Sequence, residues 1–430
     1  MKELIKELKW RGLLHQHTAG LENLECMPTG YVGFDPTADS LHIGNLAPIM
    51  LLIHLNLAGG KIIGLVGGAT GMIGDPSGKK NERKFLDETT LDHNFDKIKK
   101  QLFTLIISGN AGRVVAVNNF DWYKNMSILD FLRNVGKHAT VNTMMTRDSV
   151  RNRIKPEIEG ESVDGISFTE FTYQLIQAKD FEHLNVKHEC NLQMGGSDQW
   201  GNITAGIDLV RRTNGKSVHG LTCPLITKTD GTKFGKSEAG NVWLDKDKTS
   251  PFEFFQFWIN QTDIDAKKFI KIFTLLDKKS IEVLIKLHDE NPAKRFLQNE
   301  LATNLTEFVH GKSGLKEAQI ATDLLFGKLN LDTLSDISVE IFEKVFKTIP
   351  QTTVDVLTGN NVIDILSEQT NFEIFKSKGD VRRLIKNNGL SINLKKVNVD
   401  TIITDFKKLH SKFLLIQKGK KNFHVLKINN

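Results

Sequence analysis

Two periods of apolar residues alternate along the first 245 positions. Tyr31-Val32-Gly33-Phe34, Ile62 to Val66 and Val114 to Val117 are short apolar runs closed by turn residues, and each predicts a buried strand. Cys190, Leu192 and Met194 alternate on a further strand that runs into Gly195-Gly196. Asn45 to Leu57 has helical spacing instead. Asn45 serves as a cap, Pro48 falls in the first turn, and Gly59-Gly60 marks the stop. Strands alternating with helices predict an α/β domain with a doubly wound, Rossmann-like parallel sheet, whose ligands bind beyond the C-terminal strand ends.

The pattern changes at Ser250-Pro251. Phe252 to Leu287 and Phe296 to Val309 repeat with helical period, whereas Gly327 to Gln351 is less distinctive and reads as linker. We therefore expect an α/β domain over 1–247, a helical domain over 248–335, and a linker plus a small α+β domain over 336–430 with its core at about 362–430. A chain of 430 residues accommodates two to four domains. Three cysteines with no CxxC pair exclude a disulfide framework and a structural zinc site. The longest apolar stretch, Leu46 to Ile53, is too short to span a membrane, and Glu3 and Glu7 among the N-terminal lysines are unlike a presequence. A cytoplasmic protein is expected.

Charge is unevenly spread. From Ile374 to Asn430 there are 12 Lys and 2 Arg against 3 Asp, a net +11, so within the total of +6 the preceding residues carry −5. An acidic body with a basic tail points to a polyanion held at the C-terminal end, the alternative being a solvated lysine surface.

Five segments carry candidate chemistry. After the first strand and an Asp35-Pro36 turn, His42-Ile43-Gly44-Asn45 opens a helix, where free N–H groups and the helix dipole suit a polyphosphate. Thr37 and His42 add donors, and Gly44 lets a ligand approach the backbone. The glycine-rich stretch Gly67 to Arg83 offers the Asp75 carboxylate to an ammonium and Lys79 and Arg83 to phosphates; it lacks the GxGxxG of a dinucleotide site. Thr229 to Ser237 is one residue short of a P-loop and reads as a lysine clamp with Lys233 and Lys236. On a predicted helix from Phe168 to Asp180, the residues Tyr173, Gln177 and Asp180 share one face, a polar stripe suited to a pocket wall. Gln193 to Asn202 is a strand-end turn with Asp198 placed for a ribose hydroxyl. A lone His before a helix is usually structural, but the strand–turn–helix setting of His42 reverses that; glycine-rich turns commonly serve only packing, and the lysine turn alone is as readily a surface turn.

Together these segments resemble bacterial-type tyrosyl-tRNA synthetases over almost the whole chain. His42-Ile43-Gly44-Asn45 resembles the HIGH signature of class I synthetases, and Lys233-Phe234-Gly235-Lys236-Ser237 resembles their KMSKS loop. The stretches from Gly33 to His42 and from Gly195 to Asn202 are specific to the tyrosine branch. The tail, with Arg382, Arg383, Gly389, Ile392-Asn393 and Lys418-Gly419-Lys420-Lys421, is similar to the RNA-binding fold of ribosomal small-subunit protein four.

The resemblance implies tyrosine–tRNA ligation. Tyr31 and Asp180 would hydrogen-bond the substrate phenol, and Tyr173, Gln177 and Asp75 would hold its ammonium, with Gln199 near the tyrosine and α-phosphate. Asp35, Gly44, Asn45, Gly195, Asp198 and Lys236 would surround the adenylate. Thr37, His42, Lys79, Arg83, Lys233, Lys236 and Ser237 would meet the β- and γ-phosphates, and Arg382, Arg383, Lys418, Lys420 and Lys421 would bind RNA. Mg²⁺ would arrive with ATP rather than sit in a protein cage. The partners implied are L-tyrosine, ATP, tRNA(Tyr) and a second copy of the chain. Phe120 to Val141, with Trp122, Phe131, Leu132 and Val135, is the candidate interface or else ordinary core. Asn45 departs from the second His of HIGH, Val32 from a frequent Cys, and Phe234-Gly235 from Met-Ser. A tryptophan-specific synthetase, a small-molecule nucleotidyltransferase and a non-catalytic RNA-binding protein are the competing readings.

Overall fold

The central feature is a six-stranded sheet in a computed structural model that describes residues 1–77, 86–112, 114–154, 165–227, 229, 234–237, 240–325, 330–346, 349–354, 361–419 and 422–429. Its strands are β1 (Gln16–His17), β2 (Thr29–Phe34), β3 (Lys61–Val66), β4 (Val114–Asn118), β5 (Leu192–Gly196) and β6 (His219–Cys223), in the order β1-β6-β5-β2-β3-β4. All neighbours are parallel except β1 with β6. From β2 the chain steps outward to β3 and β4, then returns to β5 on the opposite side of β2. That reversal opens a crevice at the C-terminal ends of β2 and β5, where ligands of such sheets bind.

The strands run apolar on both faces because both faces are covered; in β3 every residue after Lys61 is buried. The helix Leu46–Leu57 packs against β2 and β3 and is buried almost all round, which explains its nearly continuous apolar sequence. At Gly64 any Cβ would collide with Leu102 of the helix Glu88–Ser108, so glycine lets that helix close onto the sheet. Arg11, buried at the end of the helix Lys2–Arg11, donates to the carbonyls of Lys271, Thr274 and Leu276.

The helical pattern after Ser250 is realised as Pro251–Ile259, Asp263–Phe273, Lys278–Glu290 and Phe296–Leu325, the last interrupted at Gly311 with φ 71°. Packing divides the chain into two units, Met1–Ser250 with Phe254–Val309, and Pro251–Glu253 with His310–Asn430. Most of the expected helical domain thus packs in one unit with the parallel sheet.

The second unit contains a five-stranded sheet ordered Lys395–Lys396, Leu390–Ile392, Phe413–Lys418, Asn422–Ile428, Gln351–Val354, in which only the last pair is parallel. Along its central strands Leu414, Ile416, Leu426 and Ile428 enter one apolar cluster, and Phe413, Leu415, Phe423 and Val425 enter the other. Both faces therefore need cover. The helices Val362–Leu366 and Lys378–Lys386 supply residues for the first. Leu334, Ile337, Phe342 and Phe346 supply the second, which corrects the linker reading of 327–351. The described part of that stretch holds the helices Leu331–Asp336 and Val339–Val345, and its last residue begins the edge strand. Phe342→Ala should cost about 3–5 kcal/mol, read as a fall in the denaturation midpoint of the second unit; a solvated linker would lose almost nothing.

Candidate active site

A cavity of about 350 Å³ fills the crevice. Its wall includes Tyr31, Asp35, Thr37, His42, Gly44 and Asn45 from β2 and the turn after it, Asp75 from the glycine-rich loop, and Tyr173, Gln177 and Asp180 from one helix. Gly195, Asp198 and Gln199 complete it at the end of β5. Thirteen of the residues singled out in the sequence are thus brought together by the topological reversal. Lys79, Arg83 and Lys233 lie outside the described residues, and of Lys236 and Ser237 only the backbone is described.

The polar stripe predicted between Phe168 and Asp180 is part of the helix Phe168–His188, which starts with a capping box between Ser167 and Glu170. Asp180, 1% exposed, accepts from Asn119 Nδ2 at 3.1 Å and Trp122 Nε1 at 3.0 Å. Burial still dominates and pushes its carboxyl up to about 7, the hydrogen bonds opposing it. Tyr31, 1% exposed, has a buried hydroxyl with no hydrogen-bond partner among the described residues. Burial and then the charge of Asp180 raise that hydroxyl well above the ordinary tyrosine range, so it stays protonated. Gln177 Oε1 is also buried and unpartnered. Two orphaned polar atoms in one cavity call for a polar ligand, because unmet buried groups are costly.

A chain of hydrogen bonds links the stripe to the neighbouring loops. Tyr173 Oη donates to Asp35 Oδ2 at 2.8 Å, Thr70 Oγ1 donates to Asp35 Oδ1 at 2.6 Å, and Asn119 Nδ2 donates to Thr70 Oγ1 at 3.0 Å. Both Asp35 oxygens are thereby engaged, and a Cβ at Gly67 would collide with Asp35 and Thr70. Gln199 Nε2 donates to Asp75 Oδ2 at 2.6 Å, and Asn202 Nδ2, at 3.2 Å from Gln199 Oε1, orients that amide. Thr70, Asn119 and Trp122 were not among the expected site residues. Asn119 follows β4, a strand lacking any motif, so nothing local in its sequence marks it.

The signature segments also meet. His42 caps a short 3-10 turn, Ile43–Asn45: its Nδ1 accepts from Gly44 N at 3.0 Å, and Asn45 Oδ1 accepts from His42 N at 3.0 Å. Gly44 carries no Cβ because one would collide with the His42 ring, a closer reason than ligand approach. The backbone after the lysine segment is stitched to this turn, with Ile43 N donating to Val242 O at 3.0 Å and Leu244 N to Leu41 O at 2.8 Å. Val242 N in turn donates to Gly235 O at 3.0 Å. Phe234 enters a socket of Phe257, Trp258, Phe269 and Phe273, stacking on Phe273 at 5.3 Å. The lysine segment is therefore anchored on the helices that follow it.

Elsewhere, Val135 is buried core, and Trp122 is half-buried with its Nε1 donating to Asp180. Ile128 (72% exposed), Leu129 (74%), Leu132, Val141 and Met145 form the exposed apolar positions of that region. Among the RNA candidates, Arg383 pairs with Asp380 at 2.6 Å, and Lys418 donates to Ile374 O at 3.1 Å; Lys420 and Lys421 lie outside the described residues. Among the described residues, no group of three or more His, Cys, Asp or Glu side chains is placed to hold a metal. No helix of the described residues is long and apolar enough to cross a membrane.

A doubly wound sheet with the His42 segment at its crevice fits a class I synthetase, and the comparisons agree. Residues 26–327 match the family of class I tRNA synthetases (W and Y), and residues 341–426 match the tyrosine–tRNA ligase SYY-like C-terminal domain. The chain belongs to the class I tRNA synthetases, in the branch that contains the tyrosine and tryptophan enzymes. Within it, the chain is 50% identical to the tyrosine–tRNA ligase of Flavobacterium johnsoniae, covering 100% of both chains. It is 49% identical to that of Bacteroides fragilis strain YCH46, covering 98% of this chain and 99% of the relative. Among solved structures, it is similar to a C-terminally truncated mitochondrial tyrosyl-tRNA synthetase of Aspergillus nidulans, with a TM-score of 0.66 and 31% identity over 75% of this chain and 94% of that one.

The raised Asp180 carboxyl has a thermodynamic consequence. The folded protein holds a proton on Asp180 that the unfolded chain releases near the ordinary carboxylate value of 3.8, so this group makes stability fall as pH rises from about 4 to about 7. In Asp180→Asn that part of the pH dependence should vanish, measured as unfolding free energy in denaturant between pH 4 and 7.

Proposed function

We infer that the chain is a tyrosine–tRNA ligase. It activates L-tyrosine with ATP to tyrosyl-adenylate, releasing pyrophosphate, and transfers the tyrosyl group to the 3′-terminal adenosine of tRNA(Tyr). The observation that carries the choice of amino acid is the unpartnered Tyr31 hydroxyl sharing the cavity with the buried Asp180. A para-hydroxyl can meet both, whereas phenylalanine leaves both unmet; tyrosyl-tRNA synthetases are the standard example of this rule. Similarity to tyrosine–tRNA ligases over the whole chain supports the same reading against the tryptophan, nucleotidyltransferase and non-catalytic alternatives.

The other residues take roles that suit their surroundings. Asp75, Tyr173 and the free Gln177 Oε1 receive the ammonium, with Gln199 beside it holding Asp75. Asp35 fixes Tyr173 through one oxygen and Thr70 through the other. Gly44, Asn45, Gly195 and Asp198 border the adenylate, and Asn45 retains its Nδ2 for this purpose since Oδ1 caps His42. Four carboxylates, Asp35, Asp75, Asp180 and Asp198, line the described cavity, so the cations for a triphosphate come from Lys79, Arg83, Lys233 and Lys236, assisted by Thr37, His42 and Ser237. Mg²⁺ accompanies ATP as part of the substrate.

Activation needs no general base, because the tyrosine carboxylate is already a nucleophile toward the α-phosphorus. The protein contributes orientation and stabilisation of charge growing on the leaving pyrophosphate. The stitching of Gly235 and Val242 to the His42 turn supports a lysine segment that closes over that group. We place the enzyme in the cytoplasm, where free thiols such as Cys26 stay reduced. Exposed Ile128, Leu129, Leu132, Val141 and Met145 suit a homodimer contact. The basic tail and the helices after Ser250 suit tRNA.

ATP–pyrophosphate exchange with tyrosine, phenylalanine and tryptophan in turn tests the function. Tyrosine alone should support exchange; exchange with none, or with tryptophan instead, contradicts it. Tyr31→Phe removes one neutral hydrogen bond of about 0.5–1.5 kcal/mol and should narrow discrimination between tyrosine and phenylalanine about 2- to 10-fold in kcat/KM. Lys236→Ala should slow exchange about 10²–10³-fold with tyrosine affinity by equilibrium dialysis unchanged. Equal losses in both would remove Lys236 from the clamp.

A further inference from the structure

A second cavity, of about 510 Å³, lies within the C-terminal unit, and its wall includes Asn393, Lys395, Asp405, Lys407, Lys408 and His410. That volume falls among pockets that hold small organic groups, roughly 300–1,000 Å³. The wall is a built structure rather than a chance gap. Asn393, 3% exposed and left-handed at φ 44°, donates through Nδ2 to Lys407 O at 2.9 Å and accepts at Oδ1 from Leu415 N at 2.8 Å. It thereby pins the loop that carries Lys407 and Lys408 to the strand Phe413–Lys418. His410 holds its ring edge-on to Phe342 at 5.3 Å, and its Nε2 is buried without a hydrogen-bond partner.

Four other lysines of this unit have partners. Lys378 pairs with Asp364 and Glu368, Lys412 pairs with Glu343, and Lys396 and Lys418 donate to backbone carbonyls. The side chains of Lys395, Lys407 and Lys408 have no ion pair or hydrogen bond among the described residues. Asp405 is the single carboxylate in the described wall, so the local charge is +2. Three lysines around one cavity with a single carboxylate leave an excess of positive charge that a polyanion can meet. A buried, unpaired imidazole nitrogen adds a polar group that can reach a base edge or a ribose hydroxyl, and Phe406 lends an aromatic surface.

We propose that this cavity holds an unstacked nucleotide of bound RNA, with its flanking phosphates on Lys395, Lys407 and Lys408. The inference rests on the tRNA-charging reading for the identity of the RNA, and it assigns the contact to a site apart from Arg382, Arg383 and Lys418. Of those, Arg383 pairs with Asp380 and Lys418 donates to Ile374 O.

The test uses the full chain with Lys395→Ala, Lys407→Ala and Lys408→Ala combined, and Lys378→Ala as a control at a paired lysine. Affinity for tRNA(Tyr) should fall on the order of tenfold, and the slope of log affinity against log salt should become shallower by about 2. The control should keep the slope, and ATP–pyrophosphate exchange should be unchanged in both variants. Acylation of Lys407 and Lys408 should be blocked by tRNA and not by ATP alone. An unchanged affinity and slope in the triple variant, or protection by ATP alone, overturns the proposal. If the unaltered chain charges tRNA while the triple variant keeps its slope, only the cavity assignment fails. If the unaltered chain charges no tRNA, the functional reading itself fails.

Discussion

Taking the Asp180 carboxyl out of water is unfavourable, and the site is arranged around offsetting that cost. Asn119 and Trp122 supply two donors, yet the carboxyl still titrates near 7. A further donor is therefore welcome, and the unpartnered Tyr31 hydroxyl beside it makes the same demand. The hydrogen bonds through Thr70 and Asp35 to Tyr173 carry this organisation from one end of the stripe to the other. A polar network buried in this way is stable when its members are satisfied.

The parallel sheet was legible from the alternation of apolar runs and helical spacing, because strands covered on both faces read as continuous apolar segments. The stripe of Tyr173, Gln177 and Asp180 was legible for a different reason: helical spacing alone puts three polar side chains on one face. Asn119 and Thr70 were not legible. Each is a small polar residue, Asn119 just after β4 and Thr70 in the short helix Gly68–Ile73, and its importance comes from what distant elements bring to it.

The same distinction explains the remaining surprises. Residues 330–346 carry little local signature, and they fold because the sheet beside them has a second apolar face that would otherwise meet water. Phe234 looked like a simple replacement within a signature, whereas its ring fills an aromatic socket formed by helices after Ser250. Long-range packing, invisible to local pattern, decides both. It also anchors the lysine segment at Phe234.

The most direct measurement is a crystal structure of the protein with L-tyrosine. The aromatic ring should lie in the crevice between β2 and β5, its hydroxyl within hydrogen-bond distance of Tyr31 Oη and the Asp180 carboxylate. A ring bound elsewhere, or bound there with Tyr31 and Asp180 turned away from its hydroxyl, contradicts the tyrosine reading.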